Sequence, residues 1–400
     1  MENEKVLLTD IVWFQEGPGV RNTQYTDSGV KLLNVANLVD GKVDLSTSSR
    51  YISEEEAYGK YKHFLVDPGD FIIASSGIKV DYFDKKMGFV DETQLPLCMN
   101  TSTIRFKALD SSVLNIRYFM YYLKSFAFKE QLARQITGSA QLNFGPSHLK
   151  KMTMPLCPIR DQGKICEQLD TIYHVIETRQ QQLAELDNLI KARFVELFGE
   201  PEANTKNWPI VNMADLCTVG SSKRIYQSEQ SMDGVPFWRI SDLTNLINTG
   251  MATAELFIPE ERYMMLQVQE QVPVEGDILV TSRGTLGQCY IVRADDKFYF
   301  QDGMISWLSE YADGITPLYI AYLFSMPGFR KQIDSMQAGS TVAYLSIAMI
   351  RKLKVMLPDM ETQNQFSAFV AQVDKSKVAV QKALDKAQLL LDSLMQKYFG

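Results

Sequence analysis

The nearest approach to a catalytic pattern in this sequence is Asp70 followed by Asp84-x-Lys86. Two carboxylates and a lysine can hold Mg²⁺ and activate a water. Spacing this loose arises often by chance in a charged chain, so it is a poor basis for an enzyme. His63, His148 and His174 are too few and too dispersed for a zinc site or a histidine-based catalytic set. Five cysteines, Cys98, Cys157, Cys166, Cys217 and Cys289, form an odd, scattered set without a C-x-x-C pair. They read as reduced thiols filling core. There is no G-x-x-x-x-G-K-[ST] phosphate loop, no G-x-G-x-x-G after a strand, and no N-P-P-[YF] run of the kind adenine-N6 methyltransferases carry. No metal site and no catalytic residue is expected.

Recognition chemistry is better supplied. Base edges are read by Arg, Lys, Asn, Gln, Ser and Thr, and phosphates by the same groups with backbone amides. Arg21, Asn22 and Gln24 follow the Gly17-Pro-Gly19 turn, and Lys223 and Arg224 follow Ser221-Ser222 as their counterparts in the second half. Ser75, Ser76 and Lys79, and in the second half Ser282, Arg283 and Thr285, each follow a strand-like run. Gly77 and Gly284 in these loops would let backbone approach a phosphate. Asn37 and Arg239 stand at strand ends. All of these are candidate DNA contacts. Ser139, Gln141 and Asn143, with Ser340, Thr341 and Tyr344, lie in Gly-Ser loops that match each other too well for base choice; a backbone or partner role is expected there. Tyr118, Tyr121, Tyr122, Tyr319 and Tyr322 read as packing.

These loops are positioned by a duplicated chain. At one constant offset Tyr118 meets Tyr319, Tyr121 meets Tyr322, Phe128 meets Phe329, Gln131 meets Gln332, Gln162 meets Gln363 and Phe198-Gly199 meets Phe399-Gly400. Upstream the match weakens and drifts by several residues: Gly69-Asp70 aligns with Gly276-Asp277, and Leu33 to Leu38 with Trp238 to Leu243. Strand-like runs at Phe71 to Ser75, Thr103 to Phe106, Ile278 to Thr281 and Met304 to Leu308 sit between Gly, Asp and Asn turns. A short aromatic helix follows in each half, near Ile116 to Gln135 and Pro317 to Met336.

Beyond each proline-marked break an a/d heptad runs to the end of the repeat. Its first copy is Ile165, Leu169, Ile172, Ile176, Leu183, Leu186 and Ile190, with Arg179 and Arg193 at seam positions. Its second includes Val370, Val373, Val380, Leu384, Leu391 and Leu394, with Lys377 at the seam. This periodicity predicts two coiled-coil helices. A duplicated chain tends toward a pseudo-two-fold axis, which runs equivalent helices antiparallel. At ~1.5 Å per residue, a helix of ~35 residues would be a rod of roughly 50 Å. Two heads held apart by such a ruler suit reading two short elements on one polymer. DNA fits, since a major-groove half-site recurs about every 34 Å.

At this point the sequence resembles the specificity subunit of type I restriction-modification systems. The resemblance covers nearly the whole chain. It rests on Thr137-Gly-Ser-Ala-Gln-Leu and Leu149 to Gln162, and on Ala338-Gly-Ser-Thr and Ile350 to Gln363. These look like that family's joins between target-recognition domain and conserved helix. Cys157 and Asp359 stand where a fuller Leu-Pro-Pro-Leu run would have proline. The resemblance implies an α+β fold: two pseudo-two-fold related target-recognition domains of mixed strands and short helices, separated by a long antiparallel two-helix coiled coil. The expected division is 1–157 and 200–357 for the recognition domains, and 158–199 and 358–400 for the helices. It further implies a non-catalytic chain whose two domains each read half of a bipartite asymmetric site in double-stranded DNA. Two methyltransferase subunits and motor-nuclease restriction subunits would be its partners; S-adenosylmethionine, ATP and Mg²⁺ would be bound by them and not by this chain. Two alternatives stay open: a related system whose partner fuses nuclease and methyltransferase, and a coiled-coil scaffold with two ligand-binding heads and no DNA role.

Composition sets one objection. The 400 residues are 46% apolar and 22% charged, ordinary globular usage with core enough for two or three domains. Yet the formal charge is -7 and the pI near 5.3, where a DNA binder is usually basic. Along the chain, residues 1–152 balance, and the acidic excess falls within 153–355. Weak binding in isolation is expected, with partners supplying much of the phosphate grip. The acidic start does not read as a signal peptide, so none is expected, and no apolar run nears the roughly 18–20 residues of a membrane span. A cytoplasmic location without membrane contact is expected.

Overall fold

The protein is described by a computed structural model covering residues 4–47, 49–135, 142–337 and 343–400. It forms two compact units, residues 1–180 with 382–400 and residues 181–381. The division falls inside both long helices, so each unit contains a head and parts of two helices.

In the first unit, Phe71-Ile-Ile-Ala is apolar without alternation because the strand it forms is buried on both faces. It is central in a four-stranded antiparallel sheet. With β1 (Val12–Glu16), β2 (Phe71–Ala74), β3 (Met87–Phe89) and β4 (Thr103–Ala108), the order is β1-β4-β2-β3. Phe106 of β4 lies opposite both Phe14 and Phe71, and Phe119 packs on Phe71 and Phe106. Beside this sheet Val30–Leu33 pairs parallel with Leu97–Met99 and antiparallel with Tyr51–Ile52. Glu4–Leu7 pairs with Thr153–Leu156, just before the first long helix, α1 (Ile159–Phe198).

The second unit repeats this plan with different residues. Strands β5 (Thr218–Gly220), β6 (Ile278–Thr281), β7 (Cys289–Ile291) and β8 (Ile305–Ser309) form an antiparallel sheet in the order β5-β8-β6-β7. Val235–Trp238 pairs parallel with Tyr299–Phe300 and antiparallel with Phe257–Ile258, and Ile210–Asn212 pairs with Lys354–Met356. The duplication therefore continues through the region where the sequence match drifts. One element differs. Where the first head has a single 3-10 turn, Val35–Asn37, the second has a full helix, α2 (Ile240–Thr249).

Each expected aromatic helix is two helices. Pro327 forces Met326 into extended backbone, which separates Pro317–Ser325 from Pro327–Ser335. In the first head Ser125 is extended between Ile116–Lys124 and Phe126–Gln135, and its hydroxyl accepts from the Phe128 N–H at 3.3 Å.

The heptad residues form the inner faces of α1 and the second long helix, α3 (Met360–Phe399), which pair antiparallel. In the first unit Ile165, Leu169, Ile172 and Ile176 pack in one core with Leu384, Leu391 and Leu394. In the second, Leu186 and Ile190 share a core with Val370 and Val373. Leu183 and Val380 are half-buried. The seam Lys377 reaches Asp187 at 2.6 Å, a contact suited to fixing register more than strength. Gly199 ends α1 at φ +80°, where a Cβ would lie 2.4 Å from Thr205 Oγ1; Trp208 Nε1–H then donates to the Phe198 carbonyl at 2.9 Å.

Candidate nucleic-acid interface

Two loops occupy the same place in the two heads. The central strand of each large sheet ends in a buried serine, Ser75 or Ser282. Ser75 N–H donates to the Ser102 carbonyl at 2.8 Å and its carbonyl accepts from Phe144 N–H at 2.9 Å; Ser282 does the same with Met304 at 2.9 Å and Leu345 at 3.0 Å. Past the serine, backbone turns outward at Gly77 (φ +74°) and Gly284 (φ +68°), with open space where a Cβ would project. Lys79 is exposed beyond Gly77; Arg283 and Thr285 are exposed around Gly284. The Arg283 guanidinium lies over the Tyr344 ring at 5.1 Å, which holds it outward without neutralising it.

Geometry corrects several expectations here. Ser75 and Ser282 are 1% exposed, and Ser282 Oγ is bonded to Ser306 Oγ at 2.8 Å, so both hold the loop base and do not face a ligand. Ser76 is half-buried with its hydroxyl on Ser102 Oγ at 2.6 Å. Asn37 is fully buried: its amide donates to the Asp44 carbonyl (3.0 Å) and Thr47 Oγ1 (3.2 Å), and its Oδ1 accepts from Asn34 N–H (2.9 Å). A strand-end asparagine there is a local brace. Arg239 is tied to Asp242 (3.4 Å) and Glu255 (3.0 Å), which offset its charge.

The pairing of the first loops also shifts. Arg21 N–H donates to Gln24 Oε1 at 3.0 Å, and Tyr226 N–H donates to Glu229 Oε2 at 3.0 Å, each closing a 3-10 turn. The structural counterparts of Arg21 and Gln24 are thus Tyr226 and Glu229, not residues of 221–224. Gln24 spends its amide on Glu56 (2.7 Å) and Tyr61 (3.0 Å). Arg21 and Asn22 are exposed, as is Lys223; Arg224 is exposed but pairs with Asp302 at 2.9 Å. Asn143 is exposed next to the 76–78 strand, whereas Ser139, Gln141, Ser340 and Thr341 lie outside the described residues.

The second head adds a surface that sequence reasoning missed. Ser241, Thr244 and Asn248 step along one face of α2 at i, i+3 and i+7. They line, with Asn245, Arg283, Gly284 and Thr285, an open cleft of about 500 Å³. The opposite face of α2 carries Leu243, Leu246 and Ile247 into a core with Trp238, Phe298 and Phe300. The signal was present as polar residues at helical spacing, but Leu33 to Leu38 in the first half gave no reason to expect a helix.

What the strongest sequence matches do is hold each head to the helices. Gln162 is fully buried; its Oε1 accepts from Asn115 N–H at 2.8 Å and its amide donates to the Val113 and Cys157 carbonyls, both at 2.8 Å. Gln363 repeats this with Thr316 N–H (2.8 Å), Gly314 (2.9 Å) and Pro358 (2.8 Å). Gln131 clasps the backbone of Thr153, and Gln332 that of Lys354. Tyr118 OH donates to the Pro155 carbonyl at 3.0 Å, and Tyr319 OH to that of Met356 at 2.8 Å.

The nuclease-like residues are dispersed into separate structural roles. Asp70 pairs with Arg105 (3.0 Å) and Lys107 (3.1 Å), Asp84 with Lys129 (2.6 Å), and Lys86 donates to the Leu38 carbonyl (2.8 Å). Among the described residues no three His, Cys, Asp or Glu side chains are grouped to hold a metal ion. Nor is any described helix long and apolar enough to cross a membrane.

Comparison with known proteins agrees with this arrangement. Residues 2–188 and 205–389 each match the type I restriction modification DNA specificity domain. The chain is 21% identical over 290 residues to a sequence from Haemophilus influenzae assigned as a type I restriction enzyme specificity subunit, covering 71% of this chain and 70% of that one. It is 23% identical over 284 residues to the EcoBI specificity subunit of Escherichia coli, covering 63% and 58%. In structure it is similar to the crystallised type I S subunit from M. genitalium, with a TM-score of 0.55 at 16% identity over 99% of this chain and 96% of that one.

Proposed function

Because this chain belongs to the family of type I restriction-modification DNA specificity subunits, the non-catalytic components of such systems, we propose that its two heads each read one half of a bipartite, asymmetric site in double-stranded DNA. The paired helices α1 and α3 would set the unread spacer between the halves and dock two methyltransferase subunits. Those subunits would bind S-adenosylmethionine and methylate adenine at N6; motor-nuclease subunits would join them with ATP and Mg²⁺. The complex would work in the cytoplasm.

One observation carries this reading: the same head occurs twice, joined to a long helix through the same buried glutamine, while the outward loops differ. Shared packing with divergent surfaces is what two readers of different sequences require. Arg21, Asn22, Lys79, Lys223, Arg224, Arg283 and Thr285 remain as candidate contacts to bases or phosphates. The acidic composition supports a division of labour in which partners supply phosphate contacts and this chain supplies base choice.

Methylome sequencing of cells with and without the gene tests the proposal. A two-part N6-methyladenine motif that disappears on deletion is the expected result. Unchanged methylation in a strain expressing the partners rejects it.

A further inference from the structure

Resting on that reading, we infer that the second head reads base edges with the outer face of α2, a helix where the first head has only a 3-10 turn, together with the Arg283–Thr285 loop. The surface charge points here. Four other clefts each carry carboxylates in their lining: Asp67 and Asp70 beside Lys107, Asp84 and Asp392 beside Lys124 and Lys129, Asp277 and Glu310 with further acids beside Arg293, and Asp44 beside Lys42. The cleft between α2 and the 283–285 loop has none among its described lining residues, and its one charged group is Arg283. A polyanion would meet at least one carboxylate in each of the former and only a cation in the latter.

The side chains have the chemistry of direct readout. A helix fits the major groove, where Arg pairs with guanine O6 and N7, Asn with adenine N6 and N7, and Ser or Thr with several edges. Asn245 is tied down, its amide donating to the Met251 carbonyl at 3.0 Å and Thr253 Oγ1 at 3.3 Å, so it closes the end of α2. Asn248 is exposed one turn further on, and Gln288 Nε2–H donates to its Oδ1 at 3.2 Å, which orients the amide. Arg283, propped on Tyr344, enters from the other wall. Ser241, Thr244, Asn248 and Arg283 thus supply the polar groups of a cleft that Ile240 also lines. In the first head the 3-10 turn Val35–Asn37 presents a buried asparagine at the corresponding place, so its half-site is read by other residues.

The test is the methylation motif written by the assembled complex carrying Asn248→Ala or Arg283→Ala, compared with the unsubstituted complex. Both positions are exposed and outside the core, so folding is retained. The expected result is a loss of about tenfold or more in discrimination at a base pair of one half-site, with the other half and the spacer unchanged. Two results overturn the inference: both half-sites intact in both variants, or methylation falling uniformly at all sites with the motif unaltered. If the unsubstituted complex writes no two-part motif, the underlying reading falls as well, and the two failures are thereby told apart.

Discussion

Phe399 rests against Tyr118 with ring centroids 5.0 Å apart. Phe198 rests in the same way against Tyr319, at 4.8 Å. Each tyrosine belongs to the head of one repeat, and each phenylalanine ends the helix of the other. Each unit is therefore completed by the far end of its sister repeat's helix. Folding of either head is coupled to formation of the helix pair.

Removing Phe399 or Phe198 should therefore loosen a head as well as a helix end. Both are buried, Phe198 also contacting Phe366 at 5.4 Å and Phe399 contacting Tyr122 at 6.1 Å. Phe399→Ala and Phe198→Ala should each cost about 3–5 kcal/mol. They lie in separate units, so the costs should add. Urea unfolding measures this; single variants as stable as the parent would contradict the coupling.

The buried glutamines make a second prediction. Gln162→Leu removes the acceptor for Asn115 N–H and the donors to two carbonyls, leaving buried polar groups unmatched. A loss of about 1–3 kcal/mol is expected, with Gln363→Leu similar. Because neither side chain faces the candidate contacts, the half-sites written by the complex should not change. A changed half-site would assign Gln162 a reading role.

Asp70 and Asp277 occupy equivalent turns but should respond oppositely to loss of charge. Burial holds the Asp277 carboxyl above its ordinary pKa, against hydrogen bonds from Val274 N–H and Trp307 Nε1–H, both at 2.8 Å. A carboxyl raised on folding is penalised when ionised. The penalty is absent below the unfolded pKa, grows as pH rises toward the folded pKa, and is full above it. Asp277→Asn should be neutral to stabilising at pH 7, and the gain should vanish in acid. Asp70→Asn instead takes the carboxylate from buried Arg105, at a cost of about 3 kcal/mol. Denaturation of both variants at neutral and acid pH tests the contrast; Asp277→Asn as the more damaging change would refute it.

The thiols should be silent in the folded protein. Burial pushes Cys98 and Cys217 up to about 12 and Cys166 up to about 11, and also raises Cys157 and Cys289. The thiolate is the reactive form. A thiol reagent at pH 8 should label few of the five until denaturant is added; rapid labelling of all in the native state would contradict this packing.

The helices and the duplication were legible because both are local or repeated signals: Ile165 to Ile190 declares its period in one segment, and Gln162 is echoed by Gln363. The α+β fold class came instead with the family resemblance carried by the joins before Gln162 and Gln363. The surface was less legible. Asn37, Ser75 and Ser282 look like ligands in a sequence, yet all are buried: Asn37 braces its own turn through Asn34, Asp44 and Thr47, and the two serines bond to segments distant along the chain. Gln24 and Glu229 proved to be equivalents only when their hydrogen bonds were seen, because the drifted alignment placed a different loop opposite. The contact of Tyr118 with Phe399 joins residues far apart in the chain and shows only in three dimensions.

The central claim, that two heads read two half-sites across a spacer set by the helices, is tested most directly by changing the helices alone. One heptad is deleted from α1 near Leu183 and one from α3 near Leu384, and the methylome written by the complex is sequenced. The account predicts the same two half-sites separated by a shorter spacer. Altered half-sites with an unchanged spacer would contradict it.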